Sequence, residues 1–437
     1  MSDSAKQKIR CGNCQSIFEV LANQSGSRVT CSNCGAVIVV PQFPTSPPQP
    51  VAHQPAPEHP TAGASAGGAS LTPPVDTHPS PTPTQETTSS GMFDLPSNSP
   101  GPTAGATGES SLLDLVREGA DTPGHQLYRK MTTEIGKVFV GQDELVLGTL
   151  VGLFSSGHVL IESVPGLGKT LFVRTLGQVL GCDFGRIQFT PDLMPSDITG
   201  SPIFDQKSQE FRFHPGPVFT QLLLADEINR APAKTHAALL ETMQEYRVTV
   251  DSKVHHLARP FFVLATQNPI ESEGTYNLPE AQLDRFMFLL KMDYPTLDEE
   301  NAILRLHGGQ NSVDDQLEQL EKVTSPEEIQ QLTQSTESIV VDDRIIDYIT
   351  KLVRQTRQWP QIYMGASPRA GITLMRAART LALFAGRDFV VPDDISQLFA
   401  AALRHRIILT PEAEVEGFTS DQILKDVIRS VEVPRID

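Results

Sequence analysis

The chain lacks a long apolar run and lacks a surplus of positive charge, and each absence narrows what it can do. No stretch reaches the ~18 apolar residues expected of a membrane-spanning helix. The opening MSDSAKQKIR has no apolar signal region, so a cytoplasmic protein is expected. With 35 Lys and Arg against 52 Asp and Glu, the formal charge is −17. That argues against nucleic acid as the main partner, because duplex affinity comes largely from clustered cations on phosphates. Cysteine is scarce, five in 437 residues, and in a reducing compartment these are not expected to form disulfides. No tandem repeat is apparent, and the length suits two or three domains with cores of their own.

Four of the five cysteines are nevertheless arranged. Cys11 and Cys14 form one C-x-x-C, and Cys31 and Cys34 a second, with residues 15–30 between them. Two such knuckles supply four thiolates to one tetrahedral Zn²⁺. A redox pair or unrelated thiols are the alternatives. The intervening SIFEVLANQSGSRVT alternates enough for a short hairpin, and AVIVV reads as a further strand. A piece this small cannot bury a self-sufficient core, which makes a structural metal the natural staple. Residues 1–40 resemble the small zinc-ribbon fingers found at the N-termini of many bacterial proteins. Cys182 follows Gly181 after a predicted helix and reads as a small buried hydrophobe.

Residues 41–120 are read as a tether. The stretch from Pro41 to about Ser110 holds about half of the 34 prolines and is otherwise Ser, Thr, Gly, Ala and Gln. With almost no charge and few aromatics, it cannot offset the entropy of folding. SLLDLVREG (111–119) is assigned to the same linker, with a docking helix as the alternative.

β and α signals then alternate, pointing to an α/β fold with a parallel sheet covered by helices. LYRKMTTEIGKVFVGQDELVLGTLVGLFSSG reads as two helices around a turn at Val140-Gly141. In HVLIESVPGLGKT (158–170), a strand at Val159–Ile161 gives way to a Gly/Pro loop and then to a helix over 170–180. This is the context of a phosphate-cradling loop. Gly166 and Gly168 let backbone N–H groups turn toward an anion. Lys169 can reach the β- and γ-phosphates of ATP, Thr170 can ligate Mg²⁺, and the helix presents its positive end. The loop residues Ser163, Val164, Pro165, Gly166, Leu167, Gly168, Lys169, Thr170 and Leu171 are the candidate nucleotide contacts. Ser163 stands where the usual pattern has its first glycine, and costs little unless that position needs φ > 0. A chance Gly-rich turn would share the bare string.

Further strands are expected at 186–190, at Leu222–Ala225 and over 261–269. Ligands bind at the carboxyl ends of strands in open α/β sheets. Asp226 can hold the Mg²⁺ shell there, Glu227 can polarise a water for attack on the γ-phosphate, and Asn268 can position that water.

ESVPGLGKT, LLLADEINRAPAKTHAALLETMQE, ATQNP, LPEAQLDRFMF and GASPRA, in that order, closely resemble the MoxR family of AAA+ ATPases, from about Pro123 onward. The resemblance implies a P-loop α/β core (121–294), an all-helical lid (295–437) and ring assembly, usually hexameric. It also implies the helix-2-insert branch, with one insert in 191–219 (EFRFH forming a hairpin) and a second hairpin in 246–260. Arg285 matches the family's arginine finger, which reaches the neighbouring subunit's nucleotide. Arg369 matches the lid arginine that touches the γ-phosphate within its own subunit. Arg230 is a weaker candidate for reaching across an interface. The implied activity is Mg²⁺-dependent ATP hydrolysis coupled to chaperone-like remodelling of partners, often von Willebrand factor A-domain proteins. The alternatives are the ATPase subunit of a magnesium-chelatase-like complex and a nucleic-acid motor.

The lid reads as core-forming helices. Ser325, Pro326 and Glu328 make a capped start. Ile345, Tyr348, Ile349, Leu352 and Val353 follow one helical face. Helices are also expected at 370–386 and in PDDISQLFAAALRHRI, with no chemistry beyond Arg369. His158, His214, His236, His255 and His256 show no metal-ligand pattern and default to surface or packing roles.

Overall fold

The structure, a computed structural model, describes residues 6–10, 17–21, 27–30, 33–35, 37–39, 113–117, 119–207, 209–269, 276, 278–309 and 312–435. It falls into two units, 1–99 and 100–437. No described helix is long and apolar enough to cross a membrane.

In the first unit, β1 (Lys6–Arg10) pairs antiparallel with β2 (Ile17–Leu21), and β3 (Arg28–Thr30) with β4 (Val37–Val39). This corrects the expected hairpin within residues 15–30. There β2 and β3 each pair outward instead, across a C-x-x-C connection. Cys34 is exposed in a turn between β3 and β4. Cys11, Cys14 and Cys31 lie outside the described residues, as does the tether over 41–112.

The second unit begins with a single helical turn, α1 (Asp114–Arg117), whose Val116 is 1% exposed within the main core. Leu113 and Leu115 pack against the same core. Then come α2 (Pro123–Gly136), α3 (Asp143–Phe154), β5 (Val159–Ser163), α4 (Lys169–Leu180) and β6 (Phe184–Gln188). An insert follows, made of α5 (Pro195–Thr199) and the hairpin of β7 (Gly200–Asp205) with β8 (Glu210–Pro215). After β9 (Leu222–Asp226) and α6 (Ala233–Glu245) a second hairpin pairs β10 (Arg247–Val250) with β11 (Lys253–His256). β12 (Phe262–Gln267), α7 (Glu280–Leu283) and β13 (Phe288–Met292) complete the core. Both hairpins stand where the family resemblance put them, and Phe213 of one stacks on His255 of the other at 3.9 Å between ring centroids.

Five strands form one parallel sheet in the order β13-β5-β12-β9-β6. The period of two decides which side each residue serves. Val159, Ile161, Leu222, Leu224, Phe262 and Leu264 join a core with α2, α3, α4 and the lid. Leu160, Leu223, Ala225, Val263 and Ala265 join a second core under α6. Both faces are covered, so the strands read as continuous apolar runs. α3 lies close on the sheet, because a Cβ at Gly152 would come within 2.7 Å of Val159 Cγ2. β6 begins two residues before the expected start, and β13 was not anticipated at all. The FMFLL run over 286–290 that leads into it is too short to separate strand from buried helix by periodicity.

The remainder comprises α8 (Leu297–His307), α9 (Val313–Glu318), α10 (Pro326–Ser335), α11 (Asp343–Thr356), β14 (Ile362–Met364), α12 (Pro368–Phe384), α13 (Pro392–Leu403), β15 (Ile408–Leu409), α14 (Pro411–Val415) and α15 (Ser420–Ser430). The expectation of an all-helical lid is corrected by β14 and β15, which pair antiparallel with an irregular register. The Ser325–Glu328 capping box is present, and the predicted α11 stripe is buried. α12 starts at Pro368 rather than after Arg369, because Ser367 serves as its N-cap and proline suits the first turn. Cys182 is buried, with its thiol pushed up to about 12 by desolvation. His158 and His236 are buried packing residues, whereas His214 and His256 are exposed.

Candidate nucleotide site

Strand register places the candidate residues. Met292 pairs with Ser163, Gln267 with Glu162, and Gln188 with Asp226. The loop after β5, the acidic pair after β9 and Asn268 after β12 therefore share the carboxyl edge of the sheet. In the loop only the two glycines take left-handed backbone, Gly166 at φ 88° and Gly168 at φ 83°. Ser163 does not, which is why serine is accommodated there. Its Oγ donates to Val164 O at 3.0 Å. Lys169 opens α4, and its Nζ donates to Val164 O at 3.4 Å, folded back over the loop. Val164, Leu167, Gly168, Lys169 and Thr170 are half-buried, while Pro165 and Gly166 are exposed. Beyond its own chain neighbours, no atom lies within 4 Å of where a Gly166 Cβ would stand. That leaves room for an anion over the loop.

Thr266 organises the acidic pair. Its hydroxyl donates to Asp226 Oδ1 at 2.7 Å and accepts from the Glu227 backbone N–H at 2.9 Å. Asp226 Oδ2 accepts from Arg186 at 2.7 Å, and Glu227 Oε2 accepts from Gln188 at 2.8 Å. Arg230 Nε lies 3.2 Å from the same Glu227 oxygen. Glu227 sits at φ 55°, ψ 50°. For a side chain with a Cβ that conformation costs about 1–3 kcal/mol and persists only where surroundings impose it. The fixed turn aims the carboxylate off the strand end. Asp226 keeps lone pairs beyond its two partners, so its carboxylate can still serve a divalent cation. Asn268 is 9% exposed, directly past β12.

Beside the loop lies a cavity of about 360 Å³, walled by Phe139, Gln142, Gly168, Leu171, Pro295 and Ile303 among others. Phe139 packs on Phe172 of α4 at 4.8 Å between centroids. Gln142 Nε2 donates to Asp293 O at 2.8 Å, and His307 Nε2 donates to Val138 O at 3.1 Å. These two bonds tie the 138–142 turn to the segment after β13 and to α8. A mostly apolar slot opening onto phosphate-binding backbone suits a nucleotide base.

The arginines lie elsewhere. β13 runs parallel to β5, and Arg285 precedes β13, whereas the phosphate loop follows β5. Arg285 therefore sits at the amino edge of the sheet, a strand length of about 16 Å from its own loop. It is half-buried. Ser367 Oγ donates to the Asp284 carboxylate, 3.3 Å from each oxygen. That bond ties the start of α12, whose first turn carries the exposed Arg369, to the residue preceding Arg285. Arg230 faces Glu227 of its own chain.

Residues 158–288 match the family described as "ATPase family associated with various cellular activities (AAA)", and residues 354–427 match "AAA lid domain". The chain is 47% identical over 310 residues to the uncharacterized protein YeaC of Bacillus subtilis, covering 71% of this chain and 96% of YeaC. It is 42% identical over 329 residues to the chaperone MoxR1 of Mycobacterium tuberculosis, covering 73% of this chain and 85% of MoxR1. The chain belongs to the MoxR family of AAA+ ATPases. A solved structure of an ATPase candidate from Cytophaga hutchinsonii superposes with a TM-score of 0.67 at 41% identity, covering 71% of this chain and 96% of that one.

Several residues of this MoxR-family site carry no local signal in the sequence. Thr266, Gln188 and Arg186 are ordinary strand residues until register sets them beside the acidic pair. The cavity beside the loop joins three separate segments, 138–142, 166–171 and 292–307, and no local pattern marks it.

Proposed function

We propose that the chain is a Mg²⁺-dependent ATPase that works as a ring and remodels partner proteins.

ATP supplies the phosphoryl group, and Thr170 with Asp226 would hold the cation that offsets its charge. The two-edged placement of the site carries this reading: phosphate loop, Asp226, Glu227 and Asn268 at one edge of the sheet, Arg285 and Arg369 at the other. Backbone N–H groups of the loop and Lys169 bind the phosphates. Glu227 accepts a proton from the attacking water, which Asn268 helps to orient. Arg285 cannot serve its own loop across a strand length. In a ring of like subunits it reaches the next nucleotide, and Arg369, on a helix tied to the same segment, faces the same way. This departs from the within-subunit role that the family resemblance implied for Arg369. Hydrolysis then depends on assembly, and the two hairpins joined by the Phe213–His255 stack pass the movement to a client. A von Willebrand factor A-domain protein is the proposed client class.

The test of this reading is Lys169→Ala. Charge-assisted hydrogen bonds are worth about 1.5–3 kcal/mol, so ATP should bind ten- to a hundredfold more weakly and turnover should be lost. Mg²⁺-dependent ATP binding that is unchanged in the variant would overturn the loop assignment.

We also propose that Cys11, Cys14, Cys31 and Cys34 hold one Zn²⁺, since each C-x-x-C connects a pair of antiparallel strands in a unit separate from the ATPase. Metal analysis should find one zinc per chain in the native protein and less in Cys34→Ser. Native protein free of zinc after purification without chelator refutes the assignment.

A further inference from the structure

Arg406 follows α13 and has a side chain only 1% exposed. A buried guanidinium is retained only where its donors are satisfied, and here the partners are specific. Nε donates to Asp284 Oδ1 at 2.9 Å. Nη2 donates to Phe286 O at 2.7 Å and to Asp284 O at 3.2 Å. Nη1 donates to Ala402 O at 2.7 Å and to Met287 O at 3.5 Å. Apart from Ala402, every acceptor belongs to the segment that carries Arg285, on both sides of it. His405 reinforces the grip, its Nε2 donating to Phe286 O at 3.1 Å. Burial and the neighbouring Arg406 hold that imidazole well below its ordinary value, so it is neutral. The Asp284 carboxylate that receives Nε also receives Ser367 Oγ, the N-cap of the helix whose first turn bears Arg369.

We propose that Arg406 is a positioning residue for the two arginines presented to the neighbouring subunit. It fixes the backbone around Arg285 directly and the start of α12 through Asp284 and Ser367. This rests on the proposal that Arg285 acts across the subunit interface. The lid thereby sets the aim of a charge that the adjoining nucleotide uses, while the nucleotide site of the same chain, at the opposite edge of the sheet, does not need Arg406.

Mixed assemblies of the full-length protein test this. Arg406→Met should lower kcat on the order of ten- to a hundredfold, as expected for a misplaced catalytic group, with the Kd for ATP nearly unchanged. Arg406→Lys should not rescue it, because one ammonium cannot span acceptors arranged for a planar fork. Asp284→Asn, a milder change, should shift kcat in the same direction. Mixed with Glu227→Gln subunits, Arg406→Met subunits should regain activity, since their own sites then receive a correctly held Arg285. Mixed with Arg285→Ala subunits they should not.

Native kcat in Arg406→Met overturns the proposal. So does a loss of ATP binding, or failure to complement Glu227→Gln while Arg285→Ala succeeds, because Arg406 would then act on its own site or on folding alone. Failure of Arg285→Ala itself to complement Glu227→Gln in demonstrably mixed rings would instead strike the cross-subunit reading of Arg285.

Discussion

Glu227→Gln should bind ATP and leave it intact. The amide keeps the size of the carboxylate and can still accept from Gln188, so the strained turn and the Thr266 contacts that hold Asp226 have no cause to move. What disappears is the group able to take a proton from water. General-base contributions amount to about 10²–10⁴ in rate, and the loss should fall on kcat with little change in ATP affinity. Single-turnover assays should show bound nucleotide recovered as ATP over times in which the native chain yields ADP. Turnover close to native would remove Glu227 from that role.

Acid should weaken the fold through His158. Its Nδ1 accepts the Val263 N–H at 3.1 Å, and its Nε2 donates to Met243 O at 3.1 Å. The neutral ring bridges β12 and the end of α6, and burial lowers its pKa from 6.5 to about 4. The unfolded chain therefore takes up a proton before the folded one does. Stability is intact above 6.5 and falls as the pH drops toward 4, by about 1.4 kcal/mol per pH unit. The full loss is about 3 kcal/mol, a large share of the 5–15 kcal/mol typical of a folded protein. His158→Gln keeps a donor for Met243 but strands the Val263 N–H, at a cost of about 1–3 kcal/mol at neutral pH. Thermal unfolding midpoints of native and variant protein should differ at pH 7.5 and converge on acidification. Parallel curves would show that His158 is not the titrating group.

What was legible in the sequence was what local pattern encodes. The strand–loop–helix around Lys169, the acidic pair after four apolar residues and the capped start at Ser325 each depend on neighbours a few positions away. Both hairpins were placed by resemblance rather than by their own pattern. The strand Phe288–Met292 escaped because so short an apolar run fits several structures. The Thr266 hub escaped because it exists only once β9 and β12 are in register, and the cavity beside the loop because three distant segments must fold together to wall it. Arg406 escaped for a different reason. An arginine at the end of a lid helix has a solvated charge as its usual fate, and nothing in RHRI distinguishes a buried one. The lid, read as core and little else, carries the contacts that hold the Arg285 segment. The cysteines remain a matter of spacing, since three of the four fall outside the described residues.

Among the described residues β13 is an outer strand of the sheet, paired with β5, and both α3 and α13 pack against it. An uncovered apolar strand is a template for joining another chain. During synthesis FLLKM emerges well before α13 does, so the nascent chain passes through an interval in which that edge has no cover. Truncations ending before Pro392, which lack the packing of α13 on this strand, should accumulate as insoluble aggregate to a greater extent than the full chain.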